Sequence, residues 1–385
     1  MRNKWVVKKE ADHHKVQKLA SDLNIHPILS SLLIQRGHDN FDKAKDFFRP
    51  ELKMLHDPFL MKDMEKAVLR INDAIKDNEP ILLYGDYDVD GTTAVALLYK
   101  YLRKRTSALS YYIPNRYTEG YGISKQGIDW AHREGFKLIV SLDCGIKAIT
   151  NIGYARSLGM DFIVCDHHRP GSILPDANAI LDPKQEDCPY PFKELSGCGV
   201  GFKLAQALSM QRNEPISELE TYLDLLVVSI AADIVPIVGE NRVLAYYGLR
   251  QLNSDPSKGI RAILDISGTT KRLNINDIVF IIAPRINAAG RIESGKLAVE
   301  LLISDDHHNA QKLAQDIDIK NTTRKGLNEK ITKEALEQIR GDIRFDSRKS
   351  TVLYNPDWHK GVIGIVASKL TDEYYRPTIV LTRSE

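Results

Sequence analysis

The chain has 385 residues and is 43% hydrophobic, a length that suggests two or three domains and an apolar content ordinary for globular cores. Its 53 basic and 51 acidic side chains nearly cancel to a formal charge of +2, which excludes a protein that coats DNA through one strong positive field and leaves any nucleic-acid contact local. No window approaches the roughly 18 consecutive apolar residues of a membrane span, and no apolar leader follows Met1-Arg2-Asn3-Lys4, so a cytoplasmic, membrane-free protein is expected.

From residue 10 to 48 apolar positions recur at helical spacing (Val16, Leu19, Leu23, then Ile28, Leu29, Leu32, Leu33, then Ala44 to Phe48), which predicts a small helical lead-in. From Ile81 onward short apolar runs alternate with helix-like stretches: Ile81 to Tyr84, Ser110 to Ile113, Leu138 to Leu142, Phe162 to Cys165 and Ala179 to Leu181. That alternation predicts an α/β fold whose parallel sheet is covered on both faces. A polar, amphipathic stretch from Asp305 to Ile339 predicts a long connecting helix or helix pair, with Gly326 and Gly341 as possible interruptions. A second βα pattern follows, with Thr351 to Tyr354 and Thr378 to Leu381 as strands, Asn355 to Lys360 as a turn and Gly361 to Leu370 as a helix. The chain stops at Glu385, just after that last strand, so an unfinished second domain, and hence a fragment, is expected.

Three of the apolar runs end in chemically charged turns: Asp86-Tyr87-Asp88-Val89-Asp90, Asp143-Cys144-Gly145 and Asp166-His167-His168. Ligands of open α/β sheets gather outside the carboxyl ends of strands, so these turns are expected to converge. Asp86, Asp88 and Asp90 repel one another unless cations neutralise them or water solvates them; alone, the cluster reads equally well as a solvated acidic turn. A calcium loop of EF-hand type fails, because Leu97 stands where the bidentate Glu belongs. Two adjacent histidines are by themselves more often surface residues, whereas Asp233, inside the apolar run Leu225 to Val238, is costly to bury unless paired or metal-bound. Taken together, these groups match a site for two hard cations, Mn²⁺ or Mg²⁺, suited to two-metal phosphoester hydrolysis. The four cysteines, Cys144, Cys165, Cys188 and Cys198, make no CxxC pattern; zinc-finger readings fail and reduced thiols are expected.

Four blocks in order, Tyr84 to Thr93, Pro114 to Gly122, Ser141 to Gly145 and Val164 to His168, resemble the DHH phosphoesterase superfamily, named for the triplet seen here as Asp166-His167-His168. The block Pro114 to Gly122, the run Asp233 to Arg242 and the stretch Ala283 to Arg291 are similar to the RecJ family of bacterial single-strand-specific exonucleases. Trp358 to Ala367 resembles the first half of the DHHA1 substrate-binding signature. The resemblance divides the chain into a lead-in (1–60), a DHH catalytic domain (61–300), a connecting helical segment (301–342) and an incomplete DHHA1 domain (343–385), and it lacks the OB-type domain of RecJ enzymes. It implies that Asp88, Asp90, Asp143, His167 and Asp233 hold the two ions, with Asp143 bridging. His168 then sits against the scissile phosphate, Asp166 orients a neighbouring ligand, and Asp86 is either a ligand or an orienting carboxylate. Related pyrophosphatases carry a metal-binding His where this chain has Tyr84.

The same resemblance implies a 5′-to-3′ exonuclease that releases 5′-mononucleotides from single-stranded DNA in repair and recombination. It further implies a monomer, with single-strand-binding protein and helicase as candidate partners. Two rivals stand beside it: a phosphodiesterase of short oligonucleotides or cyclic dinucleotides, and a non-catalytic scaffold that would be expected to have lost metal ligands. A single strand needs cations for phosphates and flat groups for bases, and Arg116 with Tyr117 and Tyr121 offers both, while Tyr111 and Tyr112 are expected to pack. Arg285, Asn287 and Arg291, which alone read as surface, become in the family block an expected phosphate clamp. His359 precedes, and Gly361 opens, a helix whose first amides suit a phosphate.

Overall fold

The computed structural model describes residues 4–383; Met1, Arg2 and Asn3 of the lead-in, and Ser384 and Glu385, lie outside them. The lead-in folds as α1 (His13–Leu23), α2 (Pro27–Gln35) and α3 (Phe41–Phe48). Asp12 and Asn40 cap α1 and α3 by accepting the Lys15 and Lys43 N–H groups, each at 2.9 Å. Leu19, Leu33 and Ala44 meet in a small core, but Ile28, Leu29 and Leu32 stay exposed. Helical spacing therefore marked the helices without marking which apolar residues would be covered.

After α4 (Met64–Lys76) comes a βα succession: β1 (Ile81–Gly85), α5 (Val89–Leu102), β2 (Leu109–Tyr112), α6 (Lys125–Arg133), β3 (Leu138–Leu142), α7 (Ile149–Ser157), β4 (Asp161–Cys165) and β5 (Ala179–Leu181). The five strands form one parallel sheet in the order β2-β1-β3-β4-β5. Successive side chains leave a strand on opposite faces, and here each face meets a different layer. Leu83, Val140 and Ile163 pack towards α5, while Leu82, Tyr84, Ile139 and Val164 pack towards Ile128 of α6 and Ile152 of α7.

A helical half follows: α8 (Gly197–Gln211), α9 (Ser217–Glu220), α10 (Leu223–Ala232), α11 (Gly239–Ser254), α12 (Lys258–Ile266), α13 (Ile275–Asp277), α14 (Ala283–Ile292) and α15 (Lys296–Ile303). Then α16 (His307–Arg340) runs unbroken for 34 residues, straight through Gly326 and ending at its cap Gly341. At 1.5 Å per residue it is about 50 Å long. Its first half gives Ala310, Ala314 and Ile317 to the main core. Its second half gives Ile331, Ala335 and Ile339 to a separate core with Leu353, Trp358, Val366 and Leu370. That second core belongs to a β6 (Thr351–Tyr354), α17 (Ile363–Tyr374), β7 (Thr378–Leu381) unit with parallel strands. Among the described residues no helix is long and apolar enough to cross a membrane, and all four cysteines are buried and free.

Candidate metal centre

The sheet order reverses between β1 and β3, and the crevice outside the carboxyl ends of such neighbours is where α/β sheets place ligands. Gly85 and Leu142 are register partners there, so the turns carrying Asp86 to Asp90 and Asp143 leave side by side. β4, next in order, delivers Asp166, His167 and His168, and Asp233 caps the end of α10 from the helical half. His167 Nε2 lies 3.2 Å from Asp143 Oδ1, 3.6 Å from Asp233 Oδ2 and 3.7 Å from Asp90 Oδ2. Oxygens about 2.1 Å from an octahedral ion stand about 3 Å apart, so this spacing suits shared coordination.

The polar bookkeeping also points to a cation. Asp143 Oδ1, Asp233 Oδ2 and both oxygens of Asp86 are buried without a hydrogen-bond partner, a costly state for a carboxylate. Burial, and then the charges of Asp90 and Asp88, hold the Asp143 carboxyl well above the usual range. Burial and Asp88 push Asp86 up to about 7. Asp90 is better served: its Oδ2 accepts the Gly197 N–H at 2.7 Å, and its Oδ1 accepts the Cys198 N–H at 2.8 Å and the Ser229 hydroxyl at 2.7 Å. Those amides open α8, whose positive end faces the carboxylate; even so, burial pushes Asp90 up to about 6. Asp143 sits at φ +60°, a left-handed conformation sparsely used by residues other than glycine. Gly197 packs so near that a Cβ there would stand 2.5 Å from Asp143 Oδ1. A donor set of buried carboxylate oxygens and one imidazole fits hard divalent cations such as Mn²⁺ or Mg²⁺.

The structure thus brings Asp90, Asp143, His167 and Asp233 together, with His168 beside them. Asp88 stands at the rim: its Oδ1 accepts the Gly91 N–H at 3.1 Å as the cap of α5, and burial raises its carboxyl, with Asp233 adding to the shift. Asp166 faces inward, with Oδ2 taking the Ile146 N–H at 2.9 Å and Oδ1 lying 2.7 Å from His168 Nδ1. His168 Nε2 is left facing Tyr121 Oη at 3.4 Å. Tyr84, at the pyrophosphatase histidine position, turns away; its hydroxyl contacts Ser124 and the Gly122 carbonyl and so pins the loop that carries Tyr121.

Beyond the carboxylates lies a cationic wall. The Arg116 guanidinium stands 5.0 Å from the Tyr87 ring centroid, and Tyr87 meets Tyr121 edge-on at 6.1 Å. Tyr117 donates to the Arg291 carbonyl and lies against His359, 6.0 Å between centroids. Arg291 Nη1 donates to the Gly361 carbonyl at 3.3 Å, which joins the β6–α17–β7 unit to the sheet domain. A Cβ on Gly361 would stand 2.3 Å from the Arg291 carbonyl oxygen, so this junction needs glycine. Burial, then the like charges of Arg116 and Arg324, hold Arg291 below its ordinary value. Tyr111 and Tyr112 do pack, against Tyr99 and against Tyr84 and Trp130.

The expected clamp is corrected in one member. Arg285 lies two-thirds of a turn around α14 from Arg291, and its guanidinium is held by Asp318 of α16 at 2.8 Å and by the Ile281 carbonyl at 2.8 Å. Asn287 is half-buried between them. The helix opens at Ile363, two residues after Gly361, so Gly361 serves the domain junction rather than the first turn. Sequence reasoning missed Arg324, one charge among many on α16, and Ser229, four residues before Asp233 and therefore on the same helix face. The Ser196-Gly197-Cys198-Gly199 start of α8 was a legible signal for an anion-facing helix terminus.

Asp182, at the carboxyl end of β5, is also fully buried with Oδ2 unpartnered. Burial raises its carboxyl to about 7, against the Lys184 N–H and with the help of Asp166. Because the folded value lies above the unfolded one, the stabilisation is full below about pH 4 and is lost as pH rises through about 7. Asp182→Asn should remove that slope, leaving the variant more stable than the parent by a few kcal/mol at pH 8 but not at pH 4. Urea denaturation with chelator at both pH values measures it; equal differences at the two would remove Asp182 from the pH dependence.

The model of the DHH family, N-terminal domain, matches residues 80–230. The single-stranded-DNA-specific exonuclease RecJ of Bacillus subtilis is 41% identical over 98% of this chain, and that of Escherichia coli 36% identical over 92%. The chain spans 47% and 63% of the lengths of these two relatives. A crystal structure of exonuclease RecJ bound to manganese superposes with a TM-score of 0.77 at 32% identity, over 86% of this chain and 82% of that one. With motif order, sheet topology and overall superposition in agreement, the chain belongs to the DHH family and, within it, to the RecJ group.

Proposed function

We propose that this chain is a divalent-metal-dependent exonuclease that hydrolyses phosphodiester bonds of single-stranded DNA from the 5′ end and releases 5′-mononucleotides. The observation that carries it is the convergence of Asp90, Asp143 and Asp233 on His167 Nε2 within 3.7 Å, beside a wall of arginines. The substrate follows from the RecJ relatives, which are named single-stranded-DNA-specific exonucleases, and the polarity and repair role from the resemblance of the motif blocks.

Asp88, Asp90, Asp143, His167 and Asp233 would hold two Mn²⁺ or Mg²⁺ ions. When bound, such ions lower the pKa of water and neutralise charge on the phosphoryl oxygens. The chain's own groups do the rest. Asp166 grips His168 Nδ1, so Nε2 points outward to hold an oxygen of the scissile phosphate. Arg116, Arg291 and Arg324 supply fork-shaped donors for flanking phosphates. The Tyr87 and Tyr121 rings offer base-stacking surfaces, each worth about 1–3 kcal/mol per base and indifferent to sequence. Tyr117, His359 and Gly361 hold the opposite wall at a fixed distance.

Single strands labelled at the 5′ or the 3′ end test the reading. With Mn²⁺ the 5′ label should appear at once as mononucleotide, the 3′ label only at the end, and chelator should stop both. Early release of the 3′ label overturns the polarity, and faster turnover of a dinucleotide than of a long strand favours a small-substrate phosphodiesterase.

A further inference from the structure

A basic cleft is lined by none of the residues of the carboxylate centre. The C-terminal end of α11, the outer face of α12 and the segment Thr269 to Leu273 enclose a cleft of about 800 Å³ lined by Arg250, Arg261, Lys271 and Arg272. Arg250 lies about 17 Å along α11 from its first residue, at 1.5 Å per residue. Among the described residues Arg250, Arg261 and Arg272 have no carboxylate within ion-pair distance, whereas Lys271 is matched by Asp277 at 2.6 Å. One carboxylate, Asp265, also faces the cleft, so guanidinium charge is in excess. In a chain with 53 basic against 51 acidic residues, such an excess is local.

The cleft is built rather than draped. The Leu273 N–H donates to Asn253 Oδ1 at 2.8 Å, and Asn253 Nδ2 donates back to the Leu273 carbonyl at 3.0 Å, which fixes Lys271 and Arg272 against α11. Ser267 and Thr269 hydroxyls pair at 2.7 Å, with Gly268 at φ +66° allowing the turn. Tyr246 and Arg250, four residues apart, share one face of α11. The Arg250 guanidinium lies 5.9 and 5.7 Å from the Tyr246 and Tyr247 ring centroids, and Tyr246 is 39% exposed. Unpaired guanidiniums beside an exposed aromatic ring are the combination that binds single strands without reading sequence.

We propose that this cleft is an accessory site for the phosphodiester backbone of single-stranded nucleic acid, holding a part of the strand away from the point of cleavage. The assignment to the same strand that enters the carboxylate centre rests on the proposed exonuclease function; backbone binding itself does not. The same guanidiniums could serve a free phosphate or mononucleotide, and the test separates these sources.

The full chain in chelator, which prevents cleavage, is titrated with a fluorescent oligothymidylate of about 20 nucleotides at several salt concentrations. Arg261→Gln/Arg272→Gln should weaken binding about tenfold at low salt and flatten the slope of log K against log salt by about 1.4, since each single-strand phosphate contact contributes about 0.7. Arg261→Lys/Arg272→Lys should restore the slope, because charge rather than fork geometry is being read. Turnover of a trinucleotide with Mn²⁺ should be unchanged in both variants. An unchanged affinity and slope in the Gln variant overturns the proposal. So does a loss confined to competition by inorganic phosphate or thymidine monophosphate, which would make the cleft a small-anion site. Should the parent chain bind the long strand through these arginines yet fail to hydrolyse any oligonucleotide, the exonuclease reading falls and the backbone site stands. Arg250→Gln provides an independent variant on α11 if the double substitution does not fold.

Discussion

Asp143→Ala is expected to lower the proposed Mn²⁺-dependent release of nucleotides from the 5′ end by on the order of 10³-fold or more, with the fold intact. A metal-dependent phosphoryl transfer draws several kcal/mol of transition-state stabilisation from the ions, and each 1.36 kcal/mol is tenfold in rate. Asp143 is the carboxylate nearest to His167 Nε2, at 3.2 Å, and its Oδ1 has no hydrogen-bond partner, so it is free to coordinate a cation. The same residue makes a second, opposite prediction for stability. Burial and the neighbouring Asp90 and Asp88 charges raise its carboxyl well above the ordinary range, so its ionised form opposes folding near neutral pH when no cation is present. In chelator the alanine variant should therefore be no less stable than the parent. Saturating Mn²⁺, at about 100 times its Kd, should stabilise the parent by about 2.7 kcal/mol and the variant by clearly less. Denaturation curves with and without Mn²⁺ read both effects. Retained turnover, or equal stabilisation of the two proteins by Mn²⁺, would take Asp143 out of the centre.

Glu240→Ala should cost about 3–5 kcal/mol, the usual penalty for leaving one member of a buried ion pair alone. Lys203 and Glu240 are 0% and 1% exposed and lie 2.9 Å apart. Glu240 also accepts the His56 N–H at 2.9 Å and the Tyr190 hydroxyl at 2.6 Å, and Lys203 Nζ donates to the His56 carbonyl at 2.7 Å. One carboxylate therefore ties α8, α11 and the segment leading into α4. Burial pushes the Lys203 amine below its ordinary value and Glu240 pulls it back; without Glu240 the amine must ionise unpaired or surrender its proton. The double variant Lys203→Met/Glu240→Gln should recover much of the loss, because an apolar replacement has no charge to desolvate. Urea denaturation is the measurement, and a loss under about 1 kcal/mol for Glu240→Ala would show that water or another group satisfies Lys203.

These two residues differ in how readable they were. Asp143 follows an apolar strand and precedes a glycine, a pattern that local periodicity exposes. Glu240 lies in a family-like run, Asp233 to Arg242, yet its chemistry is that of a structural pair whose partner is 37 positions away. Arg285 and Arg291 looked equivalent in the chain, but α14 turns one towards Asp318 and the other towards Gly361. Arg324 had no distinguishing neighbours and became legible only when α16 carried it beside Arg291.

Patterns between near neighbours in the chain were enough for the parallel α/β class, the five sheet strands to within a residue or so, the long helix and the charged strand ends. Those properties are local: short continuous apolar runs that become strands buried on both faces, helical spacing, and carboxylates crowded at the ends of those runs. Only the tertiary structure decided which acids meet, because the order β2-β1-β3-β4-β5 and the approach of α10 bring Asp90, Asp143 and Asp233 around His167 from positions up to 143 residues apart. Side-chain direction on a helix, and the partner that captures it, depend on the packing of distant segments, and no pattern of neighbouring residues encodes that.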